Sequence, residues 1–507
     1  MKNLRTRTLS GLGWSGTAKI CRQLLQLVII IILARILSPR EFGLVGMVIV
    51  FTGFADRLKT MGLGEALIQK LNLTENHLSS AFWLNLIAGV VLMLIFVIGA
   101  PFIALFYNEP TLKYLTIVIA FIFFIGSLNI VQDALLKKNL EFRRLFYIEI
   151  ASTLTAGIVA IIMAINGFGV WSLIAQSLVM TSVTVIIMWL TSSWRPSFII
   201  NKTAVRELWK FGSNLMGFNI LTYLARNVDK LLIGKSIGTF ALGIYSRAYE
   251  MMLKPVSEVE QIITRVMFPV LSEIQKDKKR IKQIYLRSIR SISIFIFPLM
   301  IGMIVLVKPL VLFIFGEKWE GIIPILQIFC FYSMLQSIGT TFGWIYNSQG
   351  RTDIQFRWGV FSSFISIVSI FIGLRWGIIG IATAYTISSY VILWYPGWTI
   401  PGRLINITFS EMIKKISAPF FCALAMGCAV FGVGIFLPSN WPDSAYLAIQ
   451  APLGIALYWL LLCIFCNEDY QETKKILGEN LLSPIRKRIA SLPLLQNCLN
   501  KRFNQKK

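Results

Sequence analysis

The architecture follows from a turn sequence that occurs twice, LSPREFGL at residues 37–44 and IGTFALGI at residues 237–244. Each copy follows a long apolar segment and places a glycine at its seventh position, where the next segment begins. A second pair, GVWSLIA at residues 169–175 and GIIGIAT at residues 377–383, recurs with nearly the same offset. A repeat of about 200 residues indicates that the chain consists of two related halves.

The composition excludes a soluble globular protein. Of the 507 residues, 56% are hydrophobic and 14% are charged, and the mean hydropathy is +0.70. About fourteen segments reach the ~20 residues needed to cross a hydrocarbon core of about 30 Å. They lie at 11–37, 42–67, 79–107, 112–136, 145–166, 169–192, 211–234, 241–270, 291–315, 321–346, 355–375, 377–398, 416–437 and 445–467. Because six helices per half is an even number, both halves enter the membrane in the same sense. The predicted fold is an all-α integral membrane protein with two parallel six-helix lobes and two C-terminal helices.

The sequence divides into five predicted regions. Residues 1–192 form the N-lobe with helices one to six, and residues 193–210 form a cytoplasmic linker. Residues 211–400 form the C-lobe with helices seven to twelve, residues 401–467 add the last two helices, and residues 468–507 form a basic tail. In the tail, apolar residues are interleaved with charges, a pattern compatible with an amphipathic helix on an anionic membrane surface and with a disordered segment.

The basic residues are distributed asymmetrically between the two sides of the predicted helices. If the amino terminus is cytoplasmic, the inner loops and span ends carry 33 of the 49 Lys and Arg residues, whereas the outer ones carry 5. The remaining 11 lie within the spans. The positive-inside rule therefore predicts that both termini face the cytoplasm. The net charge of +25 thus reports orientation rather than nucleic-acid binding.

Charges within the spans are candidates for function, because a charge at the helix centre costs about 2.5–3.5 kcal/mol on insertion scales and must face protein or water. The 11 basic ones are Lys19, Arg22, Arg35, Arg57, Lys59, Arg226, Lys230, Arg247, Lys254, Arg265 and Lys308. Those near span ends are expected to reach the membrane interface. The deeper ones concentrate in the first two helices of each half, which predicts a water-filled cavity between the halves that binds anions such as a diphosphate.

Three carboxylates of the same helices are candidates for ion coupling or for structural pairing, namely Asp56, Asp229 and Glu250. Asp229 lies three residues after Arg226, and Glu250 lies three residues after Arg247. Residues at this spacing share one helix face and can neutralise each other. The sequence leaves both interpretations open.

Metal, redox and enzyme chemistry are not expected. Cys463 and Cys466 form a CxxC motif, but no second pair or histidine lies nearby, so ordinary helix packing is the simpler interpretation. The single histidine, His77, lies in a short predicted inner loop, where a solvated side chain is the usual case. The predicted outer loops are too short to hold a catalytic apparatus.

Five motifs stand out along the chain: LARILSPREFGL at 33–44, NVDKLLIGK at 227–235, LGIYSRAY at 242–249, MFPVLS at 267–272 and FGEKW at 315–319. They resemble the polysaccharide flippases of the multidrug/oligosaccharidyl-lipid/polysaccharide exporter superfamily, especially the branch that exports colanic and teichuronic acid repeat units. The resemblance covers roughly residues 1–470. It implies a flippase of the bacterial inner membrane, without cofactor or metal, that moves undecaprenyl-diphosphate-linked oligosaccharides to the outer leaflet by alternating access. The cationic cavity of the family carries over to Lys19, Arg22, Arg57, Arg226 and Arg247 as candidates.

The resemblance also implies the partners, which are the lipid-linked oligosaccharide, membrane lipids and, for the same polysaccharide, a polymerase and glycosyltransferases. A monomer without nucleic acid is expected. Three alternatives fit the sequence less well. A cation-coupled multidrug-type antiporter would prefer an acidic cavity, and a membrane-embedded polymerase or ligase would need a large outer loop. A scramblase would not need paired half-repeats with buried cations.

Overall fold

The computed structural model contains helices and no strands in the residues that it describes, which are 19, 21–60, 62–70, 72–207, 223, 227–438 and 440–465. The helices are α1 (21–36), α2 (Pro39–Thr60), α3 (Leu63–Gln69), α4 (Glu75–Tyr107), α5 (Thr111–Ser127), α6 (Ile130–Lys138), α7 (Phe142–Ile165), α8 (Val170–Thr191), α9 (202–207), α10 (Val228–Ser236), α11 (Thr239–Glu273), α12 (Lys278–Ile314), α13 (Ile322–Gly339), α14 (Phe342–Ser348), α15 (Thr352–Gly373), α16 (Gly377–Ser388), α17 (Trp394–Leu404), α18 (Phe409–Phe436) and α19 (Asp443–Phe465). Eight helical stretches of the described chain are long and apolar enough to cross a membrane, or nine if the bent pair α5 and α6 is one span. The predicted all-α membrane fold is confirmed, whereas the count of fourteen helices and the lobe boundaries stay predictions. The tail and most of the predicted seventh span lie outside the described residues.

Four predicted spans are each divided into two helices, namely the second, fourth, tenth and twelfth, and in the twelfth a π-helical segment at Ser389–Leu393 separates α16 from α17. The second breaks at Gly62, whose φ of 65° lies in the left-handed region that favours glycine. The fourth bends by 46° between α5 and α6. Side chains satisfy the carbonyls freed there, since Asn85 Nδ2 donates to Ser127 O at 3.0 Å and Trp189 Nε1 donates to Leu128 O at 2.9 Å. The break at Gly62 lies among polar residues, with Lys59 and Thr60 before it and Glu65 after it.

By compactness the chain divides into two units, and unit 1 comprises Met1–Glu250, Ile314–Ile325 and Ser363–Tyr385. Within it, α4 packs on α5 and α7 packs on α8 as helical hairpins. Small residues permit the close approach of these helices, as is usual in membranes. For example, a Cβ atom on Gly89 of α4 would lie 2.6 Å from the carbonyl oxygen of Phe123 in α5.

Unit 2 comprises Met251–Phe313, Leu326–Ser362 and Thr386–Lys507. Here α18 and α19 form a hairpin. The hydroxyl of Tyr458 on α19 donates to Ile294 O of α12 at 3.0 Å. An apolar cavity of about 350 Å³ lies between these three helices.

The two copies of the repeated turn meet within unit 1. A Cβ atom on Gly43 would overlap the carbonyl oxygen of Thr239, and a Cβ atom on Gly243 would overlap the carbonyl oxygen of Pro39. The contact is reciprocal, because Pro39 and Thr239 are the first residues of α2 and α11 and each glycine is the fifth. This pseudo-two-fold contact is the structural counterpart of the repeat seen in the sequence.

Candidate functional site

Arg22 on α1 meets Glu149 on α7. Its Nη1 lies 3.3 Å from Glu149 Oε2, and the two side chains remain 35% and 38% exposed. Within the described part of the chain, the buried Nε of Arg22 has no hydrogen-bond partner. The exposed part of the guanidinium can donate to a further anionic ligand, such as a phosphate oxygen. Lys19, a half-buried residue, lies one helical turn before Arg22.

Asp56 on α2 has a partner on its own helix. Its Oδ1 lies 3.0 Å from Lys59 Nζ, with the lysine side chain 9% exposed and the aspartate side chain 51% exposed. Gly126 on α5 makes room for the ammonium group, because a Cβ atom there would lie 3.0 Å from Nζ. Among the residues that the structure describes, Lys59 is the one charged residue that is buried. Arg57, by contrast, is exposed.

Arg247 on α11 forms the ion pair that its spacing allows. Its Nη1 lies 2.7 Å from Glu250 Oε2. The guanidinium also stacks on Phe42 of α2, with its carbon atom 4.3 Å from the ring centroid. Arg247 therefore joins the second half of the chain to the first through a cation–π contact.

Asp229 on α10 accepts a hydrogen bond of 3.0 Å from the hydroxyl of Tyr245 on α11. Arg226, its predicted partner, lies outside the described residues. Neighbouring Lys230 donates to Asn227 Oδ1 at 3.3 Å. Because Tyr245 is only 2% exposed, it packs against the protein and does not present its ring to a sugar.

These contacts give a separate environment for each of the predicted site residues named above. Arg22 and Arg247 are each paired with a carboxylate, and Asp56 holds a cation of its own helix. Convergence of the five predicted cations on one chamber stays a prediction. Sequence reasoning missed Glu149 as a site residue, because it lies on a distant helix and no local spacing links it to Arg22.

Two residues before the predicted third span, His77 lies in the first turn of α4 rather than in a loop, and its side chain is 13% exposed. Its Nδ1 lies 2.7 Å from Thr74 Oγ1, and its Nε2 lies 3.3 Å from Glu207 Oε2 of α9. The expectation of a solvated histidine was therefore wrong. Lys70 also donates to Glu207, and this hydrogen bond, followed by the one from His77, lowers the pKa of that carboxyl below its ordinary value.

In the described residues, no group of three or more His, Cys, Asp or Glu side chains could hold a metal ion. Cys466 of the CxxC motif lies outside them.

A protein-family model described as "Polysaccharide biosynthesis protein" matches residues 32–324, more than half of the chain. The teichuronic acid biosynthesis protein TuaB of Bacillus subtilis (strain 168) is 30% identical over 489 residues, which are 95% of this chain and 100% of that protein. The lipopolysaccharide biosynthesis protein WzxC of Escherichia coli (strain K12) is 28% identical, over 86% of this chain and 89% of that one.

Two solved structures share the fold. The lipid II flippase MurJ in an inward closed conformation matches with a TM-score of 0.72 at 15% identity, covering 90% of this chain and 99% of that chain. A multidrug resistance MATE family transporter in an inward-facing conformation matches with a TM-score of 0.60 at 16% identity, covering 76% of this chain and 96% of that chain. At such identities the likeness establishes a multi-pass helical transporter fold and nothing about the substrate.

Proposed function

This chain belongs to the polysaccharide biosynthesis protein family, and from that premise we propose that it is a flippase for lipid-linked oligosaccharides. It moves an oligosaccharide repeat unit, carried on undecaprenyl diphosphate, from the cytoplasmic to the outer leaflet of the bacterial inner membrane. Transport proceeds by alternating access of the two halves. Both termini lie in the cytoplasm, as the distribution of basic residues predicts.

The environment of Arg22 is the observation that carries the proposal. Placing a guanidinium in a membrane helix costs free energy, and a role of its charge in binding a ligand explains why it is there. Arg22 shares its charge with one carboxylate, Glu149, at 3.3 Å, and both side chains are about one-third exposed. A pair as exposed as this is worth only about 0–1 kcal/mol. A diphosphate, which brings more than one negative charge and several acceptor oxygens, can therefore displace Glu149 from Arg22 at little cost.

The remaining predicted cations extend the same anion site. Lys19, Arg57, Arg226 and Arg247 are proposed to line the chamber with Arg22, while Asp56, Asp229 and Glu250 balance their charge when no substrate is bound. A membrane potential that is negative inside assists outward movement of an anion by about 2.3 kcal/mol per charge per 100 mV. The excess of cations favours an anionic lipid over the cationic drugs of a multidrug antiporter.

The names of the relatives support the substrate class and the place of the protein in polysaccharide synthesis. TuaB serves teichuronic acid biosynthesis and WzxC serves lipopolysaccharide biosynthesis. The protein itself catalyses no bond formation in this proposal. Glycosyltransferases assemble the repeat unit before transport and a polymerase extends it afterwards, while the flippase works as a monomer.

The experiment compares Arg22→Ala with Arg144→Ala in a host that depends on this protein for surface polysaccharide. Arg144 is a matched control, because its ion pair with Glu141 is short, at 2.7 Å, and its side chain is 60% exposed. Arg22→Ala is expected to abolish export, with lipid-linked oligosaccharide accumulating in the inner leaflet at an unchanged amount of membrane protein. Arg144→Ala is expected to export normally. Normal polysaccharide output from Arg22→Ala would remove Arg22 from the site, and drug sensitivity without lipid accumulation would favour an antiporter.

A further inference from the structure

The contact between Gly43 and Gly243 leaves no space for any side chain. Each glycine lies against the backbone carbonyl of the first residue of the other helix, and a Cβ atom on Gly43 would also lie 3.1 Å from the amide nitrogen of Gly243. A carbonyl group cannot turn aside as a flexible side chain can. Any residue larger than glycine therefore forces α2 and α11 apart at this point.

Two aromatic side chains reinforce the contact, each crossing from one half of the chain to the other. Trp319, which follows α12, is fully buried and donates from Nε1 to Ala34 O of α1 at 2.8 Å. Tyr107, at the end of α4, is 4% exposed and packs so that a Cβ atom on Gly234 of α10 would lie 2.8 Å from its ring. Ala34 and Gly234 are equivalent positions of the two halves, so each half covers the first helix of the other.

A row of contacts connects this assembly to the proposed substrate site. Trp319 packs edge-on against Phe42, with ring centroids 5.3 Å apart. The other neighbour of Phe42 is the guanidinium of Arg247, 4.3 Å from its ring centroid. Arg247 lies one helical turn after Gly243. A ligand that draws Arg247 away from Phe42 thus acts on the ring that supports Trp319.

We infer that Gly43, Gly243, Tyr107 and Trp319, named here the outer clasp, form the gate through which the substrate leaves. This inference rests on the proposed flippase function and on the orientation in which the repeated turns face outward. With the clasp closed, backbone touches backbone and a sugar cannot pass. Release to the outer leaflet therefore requires α2 and α11 to separate at the two glycines, with Trp319 leaving Ala34.

The test uses Gly43→Ala, with Gly46→Ala as the matched control on the same helix. A Cβ atom on Gly46 would make ordinary contact with the Leu242 side chain at 3.5 Å, so alanine fits there. Ala34→Cys supplies a reporter thiol in a background whose native cysteines are replaced and whose export is retained. A membrane-impermeant maleimide is added to right-side-out and inside-out vesicles, and export is measured in cells with the same variants.

Gly43→Ala is expected to hold the clasp open, so the reporter thiol reacts from the outer side at least about tenfold faster than in the Gly46→Ala chain, as a tenfold shift in open population requires. Export by Gly43→Ala is expected to fall by a similar factor, because a gate that cannot close cannot alternate. Equal labelling and export in the two variants overturns the inference. Faster labelling only in inside-out vesicles also overturns it, because the clasp would then face the cytoplasm.

Trp319→Phe provides a second measurement if Gly43→Ala fails to accumulate in the membrane. Phenylalanine keeps a ring against Phe42 but cannot donate to Ala34 O, so outer labelling of the reporter thiol is expected to rise severalfold. Unchanged labelling removes Trp319 from the gate. Labelling of the reporter thiol does not depend on which substrate the protein carries. If Gly43→Ala increases outer labelling but the protein is found to carry another substrate, the proposed function is wrong and the assignment of the gate stands.

Discussion

The outer clasp and the Arg22–Glu149 pair both join helices from distant parts of the chain, yet they use opposite chemistry. The clasp brings two backbones together at Gly43 and Gly243 and seals them with buried rings. The ion pair brings together two charged side chains that are each about one-third exposed. The outer clasp leaves no space for another group, whereas the Arg22–Glu149 pair remains accessible to a competing ligand.

The difference separates two tasks of a transporter. A backbone contact has no alternative partner, so it is either closed or broken, and this behaviour suits a gate. A partly exposed ion pair can exchange one anion for another at little cost, because the carboxylate that is displaced remains in contact with water, and this suits a binding site. The four predictions below test whether the strength and role of each ion pair follow its exposure.

The largest effect on export is expected at Glu149. Glu149→Gln removes the anion that competes for Arg22, so the diphosphate is held longer and export slows by about fivefold, equivalent to about 1 kcal/mol of tighter binding. The measurement is the rate of lipid-linked oligosaccharide transfer, with the amount of membrane protein as a control.

The double variant Arg22→Gln with Glu149→Gln distinguishes a ligand site from a structural pair. If the pair only balances charge, removing both charges restores export. If Arg22 binds substrate, the double variant stays as inactive as a chain that lacks Arg22. Restored export would move the anion site elsewhere.

Much of the fold could be predicted from the sequence, because apolar length and the repeated turn act locally. The glycines of the two turns were visible as a repeat, and the structure shows that Gly43 and Gly243 touch. The pair of Arg247 with Glu250 also followed from spacing on one helix face. The breaks within spans could not be predicted in this way, since the left-handed backbone conformation of Gly62, with a φ of 65°, does not follow from the apolar length of the span.

The site was less predictable, because its contacts join residues that are far apart in the sequence. Nothing near Arg22 indicates Glu149, and nothing near Lys59 indicates that Gly126 leaves room for its ammonium group. The sequence identifies which helices carry charged side chains. Only the packing of the helices determines which of these side chains is buried and which stays partly exposed.

The ion pair of the buried Lys59 is tested through folding stability. Asp56→Asn leaves the buried ammonium group of Lys59 without the carboxylate that lies 3.0 Å from it. The expected loss is about 1–3 kcal/mol of folding stability, the cost of a buried polar group that loses its partner. Asp133→Asn is the matched control, because Asp133 pairs at 2.6 Å with Lys137, which is 47% exposed, and the loss of this pair should cost about 0–1 kcal/mol. Thermal unfolding of the two purified variants gives the comparison, and equal midpoints would show that burial does not strengthen the Lys59 pair.

The smallest effect is expected at Glu207, which attaches α9 to the start of α4 through Lys70 and His77. Hydrogen bonds from these two side chains hold the pKa of Glu207 below its ordinary value. A carboxyl with a lowered pKa stabilises the folded contact above its unfolded pKa and loses that contribution as the pH falls through the folded value. Glu207→Gln should therefore speed amide hydrogen exchange in residues 202–207 near neutral pH, whereas Arg206→Gln on the same helix should not. Lowering the pH below the folded pKa should remove the difference between Glu207→Gln and the unsubstituted chain. A difference that persisted in acid would mean that the carboxylate charge is not what attaches α9.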